Sequence, residues 1–247
     1  MALMSNTPLR NTFDHEFSHE PVLGRIATWL LAAALALLLV LALIGGAPSA
    51  RASSNTLFGY DEQRFTSTKP FTKWRGALKR YFRERDLQPG ACTSTLFNKC
   101  HLQDWKKFLT KQRGKGAMAQ LDAVNRYMNR APYITDPVNY GVPDYWATPR
   151  QFFNKDGDCE DYAIAKYMSL RSLGWSTDKM RIVVLQDENL RVAHAVLVVY
   201  HKGRTYVLDN QITQVVTDDR IAHYRPVYSI NEQSWWLHKR RDAVSAN

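Results

Sequence analysis

The chain has 247 residues, of which 45% are hydrophobic, and it carries a formal net charge of +10 at pH 7. A basic surface suits nucleic acid, anionic lipid headgroups or acidic proteins, and it also serves solubility alone. Because no run of Lys and Arg is interleaved with aromatic residues in the pattern of a nucleic-acid groove, we exclude nucleic acid as a partner.

An unbroken apolar run occupies residues 26–44 and is long enough to cross the roughly 30 Å hydrocarbon core of a bilayer as a helix. A helix-breaking Gly-Gly-Ala-Pro segment follows, and then Ala-Arg-Ala ending at Ala52, which is typical of a signal-peptide cleavage site. Residues 1–52 are therefore expected to be a cleaved signal peptide or, alternatively, an uncleaved N-terminal membrane segment. In both cases residues 53–247 form one exported domain that contacts the membrane only through the N-terminal segment.

Three cysteines in an exported chain indicate one disulfide and one remaining thiol. Cys92 and Cys100 are close together in a polar stretch, so we expect them to form the disulfide. A bond across this short loop would stabilise the fold by about 2–3 kcal/mol. Cys159 is then the unpaired thiol.

Apolar residues at three- and four-residue spacing predict amphipathic helices in the first part of the domain. The expected helices span residues 69–85, residues 102–132 with a break at 114–116, and residues 159–174. Residues 53–63 are expected to be a polar lead-in. The proline- and glycine-rich segment 131–157 is predicted to be a long ordered loop without regular structure, and loops of that length are usually functional.

The hydrophobic period changes after Gly174, where short runs of Val, Ile, Leu and Tyr predict strands at residues 181–185, 193–200, 204–209 and 212–216. Helices followed by strands indicate an α+β fold in which N-terminal helices pack on a C-terminal antiparallel sheet. Trp235 and Trp236 are assigned to the core. Trp146, in a proline-flanked loop, is assigned to packing.

Cys159 follows Asp156-Gly157-Asp158, a turn that leads directly into the third predicted helix. At a helix N-terminus the free backbone N–H groups and the helix dipole favour a thiolate, and the same N–H groups can stabilise an oxyanion. The alternative is that Cys159 is a small buried core residue. The neighbouring Glu160 and Asp161 oppose a thiolate, so the turn alone does not decide between the two.

His194 lies within the second predicted strand, where a structural histidine is the ordinary interpretation. If Lys202-Gly203 forms a two-residue hairpin loop, Asp209 opposes Val196 and shares a face with His194. Diagonal cross-strand neighbours lie about 7–8 Å apart at the backbone, so the Asp209 carboxylate can reach and orient the imidazole. Together with Cys159 they would supply a nucleophile, a base and an orienting carboxylate.

Three segments carry a family resemblance: Gly157-Asp-Cys-Glu-Asp-Tyr-Ala-Ile-Ala-Lys-Tyr167, Ala193-His-Ala-Val196 and Leu208-Asp-Asn-Gln211. They resemble the bacterial transglutaminase-like cysteine peptidases, most closely the LapG-type periplasmic members that act on adhesins. The resemblance implies a transglutaminase-like, papain-like fold with Cys159, His194 and Asp209 as the catalytic triad. It also implies a calcium requirement, with Asp158 and Glu160 as metal ligands and Asp161 as a third candidate. Alternatively, these acids only cap the helix and complement its dipole.

The resemblance further implies a periplasmic, calcium-dependent endoprotease. Such an enzyme would cleave the N-terminal region of a large surface adhesin at a di-alanine site and so release a biofilm. The implied regulator is an inner-membrane receptor for cyclic di-GMP that sequesters the protease. Three alternatives stay open: a cross-linking transglutaminase or a cell-wall peptide amidase with the same triad, and a non-enzymatic binding module of the same fold.

Overall fold

The structure is a computed structural model that describes residues 56–87 and 101–241. The apolar run at 26–44 and the two cysteines expected to form a disulfide, Cys92 and Cys100, lie outside these residues. No helix within the described part of the chain combines the length and the apolar character needed to cross a membrane.

Eight strands of the described residues form one antiparallel sheet in the order β1-β2-β8-β7-β3-β4-β5-β6. Their bounds are β1 Thr56–Leu57, β2 Tyr60–Phe65, β3 Met180–Asp187, β4 Val192–His201, β5 Arg204–Leu208, β6 Val216–Thr217, β7 Tyr224–Ile230 and β8 Trp235–Arg240. The predicted strands at 181–185, 193–200 and 204–209 are confirmed within a residue or two. The prediction of a strand at 212–216 is wrong, because only Val216–Thr217 pairs with β5.

The α-helices among the described residues are α1 Thr72–Glu84, α2 His101–Gln112, α3 Ala117–Met128, α4 Asp136–Asn139, α5 Pro149–Lys155 and α6 Cys159–Ser172. Four of them (α1, α2, α3 and α6) confirm the predicted helices, including the break at 114–116. Residues 161–170 of α6 are all buried, so this helix lies in the centre of the domain rather than on its surface.

Two expectations about the connecting segments are wrong. Residues 56–65 are not a polar lead-in but form two strands, and β2 pairs with β8 near the end of the chain. Segment 131–157 is not entirely irregular, because it contains α4 and α5. Thr148 and Gln151 form a reciprocal capping box at the start of α5, and Pro149 takes its first position, where no backbone donor is needed.

The core has a layer on each face of the sheet. One cluster joins α1, α3 and α6 to one face and includes Trp74, Tyr167 and Leu197. A second cluster covers the opposite face and includes Leu57, Val196 and Tyr224. Trp236 is buried and Trp235 packs against the first cluster, as expected for core residues.

Candidate active site

The turn before Cys159 is held in a conformation that few residues allow. Asp156 has a φ of +61°, and a Cβ atom on Gly157 would lie 2.3 Å from Asp161 Oδ2. The Asp161 side chain therefore folds back over Gly157, where its Oδ1 accepts a hydrogen bond from the backbone N–H of Ala147 at 2.6 Å. Only glycine leaves room for that carboxylate two residues before Cys159.

Cys159 is the first residue of α6, as predicted, and its side chain is half-buried. Its thiol donates to Glu160 Oε2 at 3.2 Å, and the backbone N–H of Ala195 faces the sulfur. Burial raises the pKa of the thiol, and the charges of Glu160 and Asp158 raise it further, while the Ala195 N–H lowers it. In this arrangement the raised pKa favours the protonated thiol, and the sulfur lies beside Ala195 of β4, the residue that follows His194.

His194 and Asp209 form the contact that the hairpin register predicts. Lys202 and Gly203 both have positive φ angles, as in a two-residue type I′ loop, and Leu197 pairs with Leu208. His194 Nε2 lies 2.9 Å from Asp209 Oδ1, and both side chains are almost fully buried. Because Nε2 faces Asp209, Nδ1 is the ring nitrogen left to receive a proton from a nucleophile.

Further donors surround the Asp209 carboxylate. The backbone N–H of Gln211 donates to Oδ1 at 2.9 Å, and the Tyr224 hydroxyl donates to Oδ2 at 2.6 Å. Burial alone would raise the pKa of Asp209, but the hydrogen bond and charge of His194 and the hydrogen bond of Tyr224 lower it below its usual value. Asp209 is therefore an ionised carboxylate that can orient the imidazole.

Base and orienting carboxylate are thus together, and the strand that carries His194 lies against the Cys159 sulfur. Within residues 56–87 and 101–241, however, Cys159 and His194 share no hydrogen bond, because the thiol donates to Glu160 instead. Of the two contacts that link the members of a catalytic triad, the structure has the one between His194 and Asp209 and not the one between Cys159 and His194. The assignment of Cys159, His194 and Asp209 as catalytic residues stays a prediction.

Five carboxylates gather beside Cys159. Ligand oxygens of Asp136, Asp144 and Glu160 lie within 4.8 Å of one another, and so do those of Asp136, Asp158 and Asp161. The pKa values of Asp136, Asp158 and Asp161 are all raised, with burial as the largest cause. Burial and the neighbouring Asp158 charge raise the pKa of Glu160 to about 8.

The carboxylate cluster has more acceptor oxygen atoms than there are hydrogen-bond donors around it. Asp136 Oδ1, Asp158 Oδ1 and Asp161 Oδ2 are buried and accept no hydrogen bond from any described residue. Asp158 occupies the N-cap position of α6, yet its side chain makes no capping hydrogen bond. Its Oδ2 instead accepts from the backbone N–H of Asp136 at 3.2 Å. The capping alternative therefore does not explain Asp158, whereas unpaired carboxylate oxygens are the ligands that a hard cation takes.

Asp136 and Asp144 are site residues that the sequence did not single out. Both come from segment 131–157, whose length was the available signal for a functional loop. Trp146 conforms to its expected packing role, since its ring contacts Trp74 and its carbonyl accepts from Arg80 at 2.5 Å.

The chain resembles known proteins in sequence and in structure. A model of the bacterial transglutaminase-like cysteine proteinases matches residues 91–241, more than half of the chain. The chain belongs to this family. A search of the curated proteins returned no match. Membership of this family and the α+β architecture confirm the predicted transglutaminase-like fold.

Among solved structures, Legionella pneumophila LapG has 29% sequence identity and a TM-score of 0.53, over 65% of this family member and 87% of LapG. The calcium-bound structure of LapG has the same 29% identity and a TM-score of 0.54, over 69% of this chain and 92% of LapG. An EGTA-treated LapG structure gives 29% identity and a TM-score of 0.54, over 68% and 88% of the two chains. The family member is thus a cysteine peptidase of LapG-like architecture.

Proposed function

We propose that this protein is a cysteine endoprotease in which Cys159 is the nucleophile, His194 the general base and Asp209 the orienting carboxylate. The observation that carries the proposal is the buried His194 Nε2 to Asp209 Oδ1 contact of 2.9 Å on the strand that faces the Cys159 sulfur. Membership of a cysteine proteinase family supports the reaction class.

The reaction follows from the roles of these groups. His194 Nδ1 takes the proton from Cys159, and the sulfur attacks the scissile carbonyl carbon to form a C–S bond. The free backbone N–H groups at the start of α6 stabilise the negative oxygen of the tetrahedral intermediate. His194 then returns the proton to the leaving amine as the C–N bond breaks. Water, deprotonated by the same imidazole, hydrolyses the thioester and releases the thiol.

The acidic cluster is proposed to bind calcium. Asp158 and Glu160 are the ligands that the family resemblance implies, with Asp161 as a third candidate, and Asp136 and Asp144 are added by the geometry of the cluster. The fit is supported by three buried carboxylate oxygens without a donor and by the existence of a calcium-bound LapG structure. A bound divalent cation supplies positive charge that offsets the crowding of carboxylates beside the thiol.

Calcium also bears on the hydrogen bond of the thiol. Glu160 Oε2 accepts from Cys159, and Glu160 is also one of the carboxylates grouped with Asp136 and Asp144. Glu160 would be one of the residues that hold the cation, and its carboxylate would then be a poorer acceptor for the thiol. The positive charge would favour loss of the Cys159 proton, for which His194 is the proposed base. The calcium-free protein is accordingly expected to be inactive.

The substrate is proposed to be the N-terminal region of a large surface adhesin, cut at a di-alanine site in the periplasm. A receptor in the inner membrane that senses cyclic di-GMP is proposed to sequester the protease and so control biofilm release. The LapG-type resemblance supports this assignment, together with the apolar run at 26–44 as the export signal or anchor. Tyr133 and Val192, both about half exposed, lie on segments adjoining Cys159 and His194 and leave apolar surface beside the site for a polypeptide.

The decisive experiment incubates the full-length protein with an adhesin fragment that contains a di-alanine site. Wild type and Cys159→Ala are compared, each with calcium and with a chelator. The expected result is cleavage only by wild type, and only in the presence of calcium. Continued cleavage by Cys159→Ala would refute the triad, and cleavage in the chelator would refute the metal requirement.

Two further readouts separate the alternatives. A ladder of higher-mass products would indicate a transglutaminase, and turnover of peptidoglycan fragments instead of the adhesin would indicate an amidase. Binding without any reaction would indicate a binding module. For the metal ligands, Asp158→Asn is expected to abolish the calcium response, whereas Asp178→Asn, outside the cluster, should leave it unchanged.

A further inference from the structure

Tyr224 contacts both members of the His194–Asp209 pair, although it lies on a strand that pairs with neither β4 nor β5. Its hydroxyl donates to Asp209 Oδ2 at 2.6 Å. Its ring packs edge-on against the His194 imidazole, with 5.9 Å between the ring centroids and an interplanar angle of 64°. The side chain is buried, with 3% of its surface exposed.

A bulge in β7 places Tyr224 on this face of the sheet. The register between β3 and β7 shifts between Val184 and Leu185, which leaves Val227 as the extra residue. In a regular strand, Tyr224 and Tyr228 would point to the same face because they are four residues apart. Instead Tyr228 packs against the core cluster under α6, and Tyr224 belongs to the cluster on the opposite face. Such bulges commonly redirect a side chain towards a functional site.

The contacts divide the two carboxylate oxygens of Asp209 between different donors. Oδ1 faces His194 Nε2 and the backbone N–H of Gln211, whereas the donor to Oδ2 is the Tyr224 hydroxyl. Burial and the charge of Asp209 raise the pKa of Tyr224, so its phenol stays protonated and remains a donor. Without that donor Oδ2 would be a buried anionic oxygen lacking a partner, which is costly.

Other charged groups face this pair from the neighbouring elements. The Lys166 amine on α6 acts on Asp209 through its charge, and Asp187 on β3 acts on Tyr224. Asn129, the C-cap residue of α3, donates to the backbone carbonyl of Asp209. Tyr224 is therefore the group that fixes the rotation of the carboxylate from the side away from His194.

We propose that Tyr224 is a positioning residue that holds Asp209 so that Oδ1 accepts the Nε2–H of His194 and keeps the imidazole in the tautomer with Nδ1 free for the Cys159 proton. The proposal rests on the proposed role of His194 as the general base. It adds to the triad a fourth residue, which touches neither substrate nor sulfur and acts through Asp209.

The test compares wild type, Tyr224→Phe and Tyr167→Phe in the full-length protein. Tyr167→Phe is a matched control, because its buried hydroxyl also donates to a carboxylate, Glu232 Oε1 at 3.3 Å, away from His194. The first readout is the ¹⁵N spectrum of the imidazoles, with His194 assigned by comparison with a His194→Gln sample. Wild type and Tyr167→Phe are expected to show the Nε2–H tautomer, and Tyr224→Phe a mixture of both tautomers.

The second readout is the pH dependence of adhesin cleavage at saturating calcium. Losing a hydrogen bond to a charged group is expected to lower kcat about tenfold to a hundredfold, with little change in KM. It should also move the acid limb of the profile to higher pH by about one unit, because Asp209 becomes easier to protonate. Tyr167→Phe should change neither. An unchanged tautomer together with an unchanged acid limb in Tyr224→Phe would overturn the proposal.

Two features keep the test decisive. The tautomer measurement needs no substrate, so a wild type that cleaves no adhesin refutes the proposed substrate and leaves the Tyr224 result readable. If Tyr224→Phe does not fold, 3-fluorotyrosine at position 224 provides a more acidic phenol and a stronger donor. It is expected to move the acid limb, or the pH at which the His194 tautomer changes, to lower pH. A shift in the opposite direction, or none, would overturn the proposal.

Discussion

Replacing Lys166 by methionine is expected to stabilise the folded protein, most strongly at neutral and acidic pH. Lys166 lies on α6 with none of its surface exposed, and its Nζ has no hydrogen-bond partner among the residues that the structure describes. Its neighbours are the ring of Tyr162, with the centroid 5.9 Å from Nζ, and the charge of Asp209, which raises the pKa of the amine. A buried amine with so little compensation disfavours the folded state.

The magnitude follows from the change in pKa. Burial lowers the pKa of Lys166 from 10.5 to about 7, and the charge of Asp209 opposes this only in part. At about 1.4 kcal/mol per unit, the shift corresponds to roughly 5 kcal/mol. Below pH 10.5 the unfolded chain binds the proton, whereas the folded chain binds it only below about 7. The penalty on folding therefore grows as pH falls from 10.5 to 7 and is constant below that.

The assay is urea unfolding of the full-length protein at several pH values between 6 and 10. Lys166→Met should exceed wild type in the free energy of unfolding by several kcal/mol at pH 6–7, and the excess should shrink towards pH 10. Lys79→Met, on the exposed face of α1, is the control and should show no such trend. A difference that is constant with pH, or a variant less stable than wild type at pH 7, would refute the reasoning.

Two further substitutions test the packing of the turn and of the sheet. Gly157→Ala forces a Cβ to within 2.3 Å of Asp161 and should cost about 1–3 kcal/mol of stability and weaken calcium binding, measured by thermal unfolding with and without calcium. Gly116→Ala, which has open space around it, should change both far less. Glu62→Ala leaves Arg181 without its buried ion-pair partner at 2.7 Å and should cost about 3–5 kcal/mol in urea unfolding. Glu188→Ala breaks an exposed pair and should cost at most about 1 kcal/mol; equal losses would contradict the role of burial.

Local patterns predicted much of what surrounds the nucleophile. The apolar spacing in α1, α3 and α6 and the Lys202-Gly203 turn each depend on residues close together in sequence. The hairpin register then placed Asp209 opposite Val196 and within reach of His194, and the structure has that contact. The identity of the nucleophile, base and orienting carboxylate could therefore be proposed before the fold was known.

Pairings between distant parts of the chain were not predictable in the same way. Strand β2 was assigned to a polar lead-in because its Tyr-Asp-Glu-Gln-Arg-Phe sequence has little apolar character. It is a strand because β8 supplies its hydrogen bonds and Arg181 on β3 pairs with its Glu62. The position of Tyr224 beside Asp209 was equally unpredictable from sequence. It depends on a one-residue bulge that is recognised only when β3 and β7 are paired.

The environment of Cys159 joins the local and the distant contributions. The helix N-terminus, read from sequence, favours a thiolate, but the pKa of the thiol is raised by burial and by Glu160 and Asp158. Those carboxylates are crowded further by Asp136, which lies at the start of α4, more than twenty residues upstream, and has an unpaired oxygen of its own. Carboxylates that raise the pKa of the thiol are consistent with the proposed binding of a cation beside Cys159. On that proposal, the acidic residues that oppose a thiolate in the sequence are the ligands of calcium.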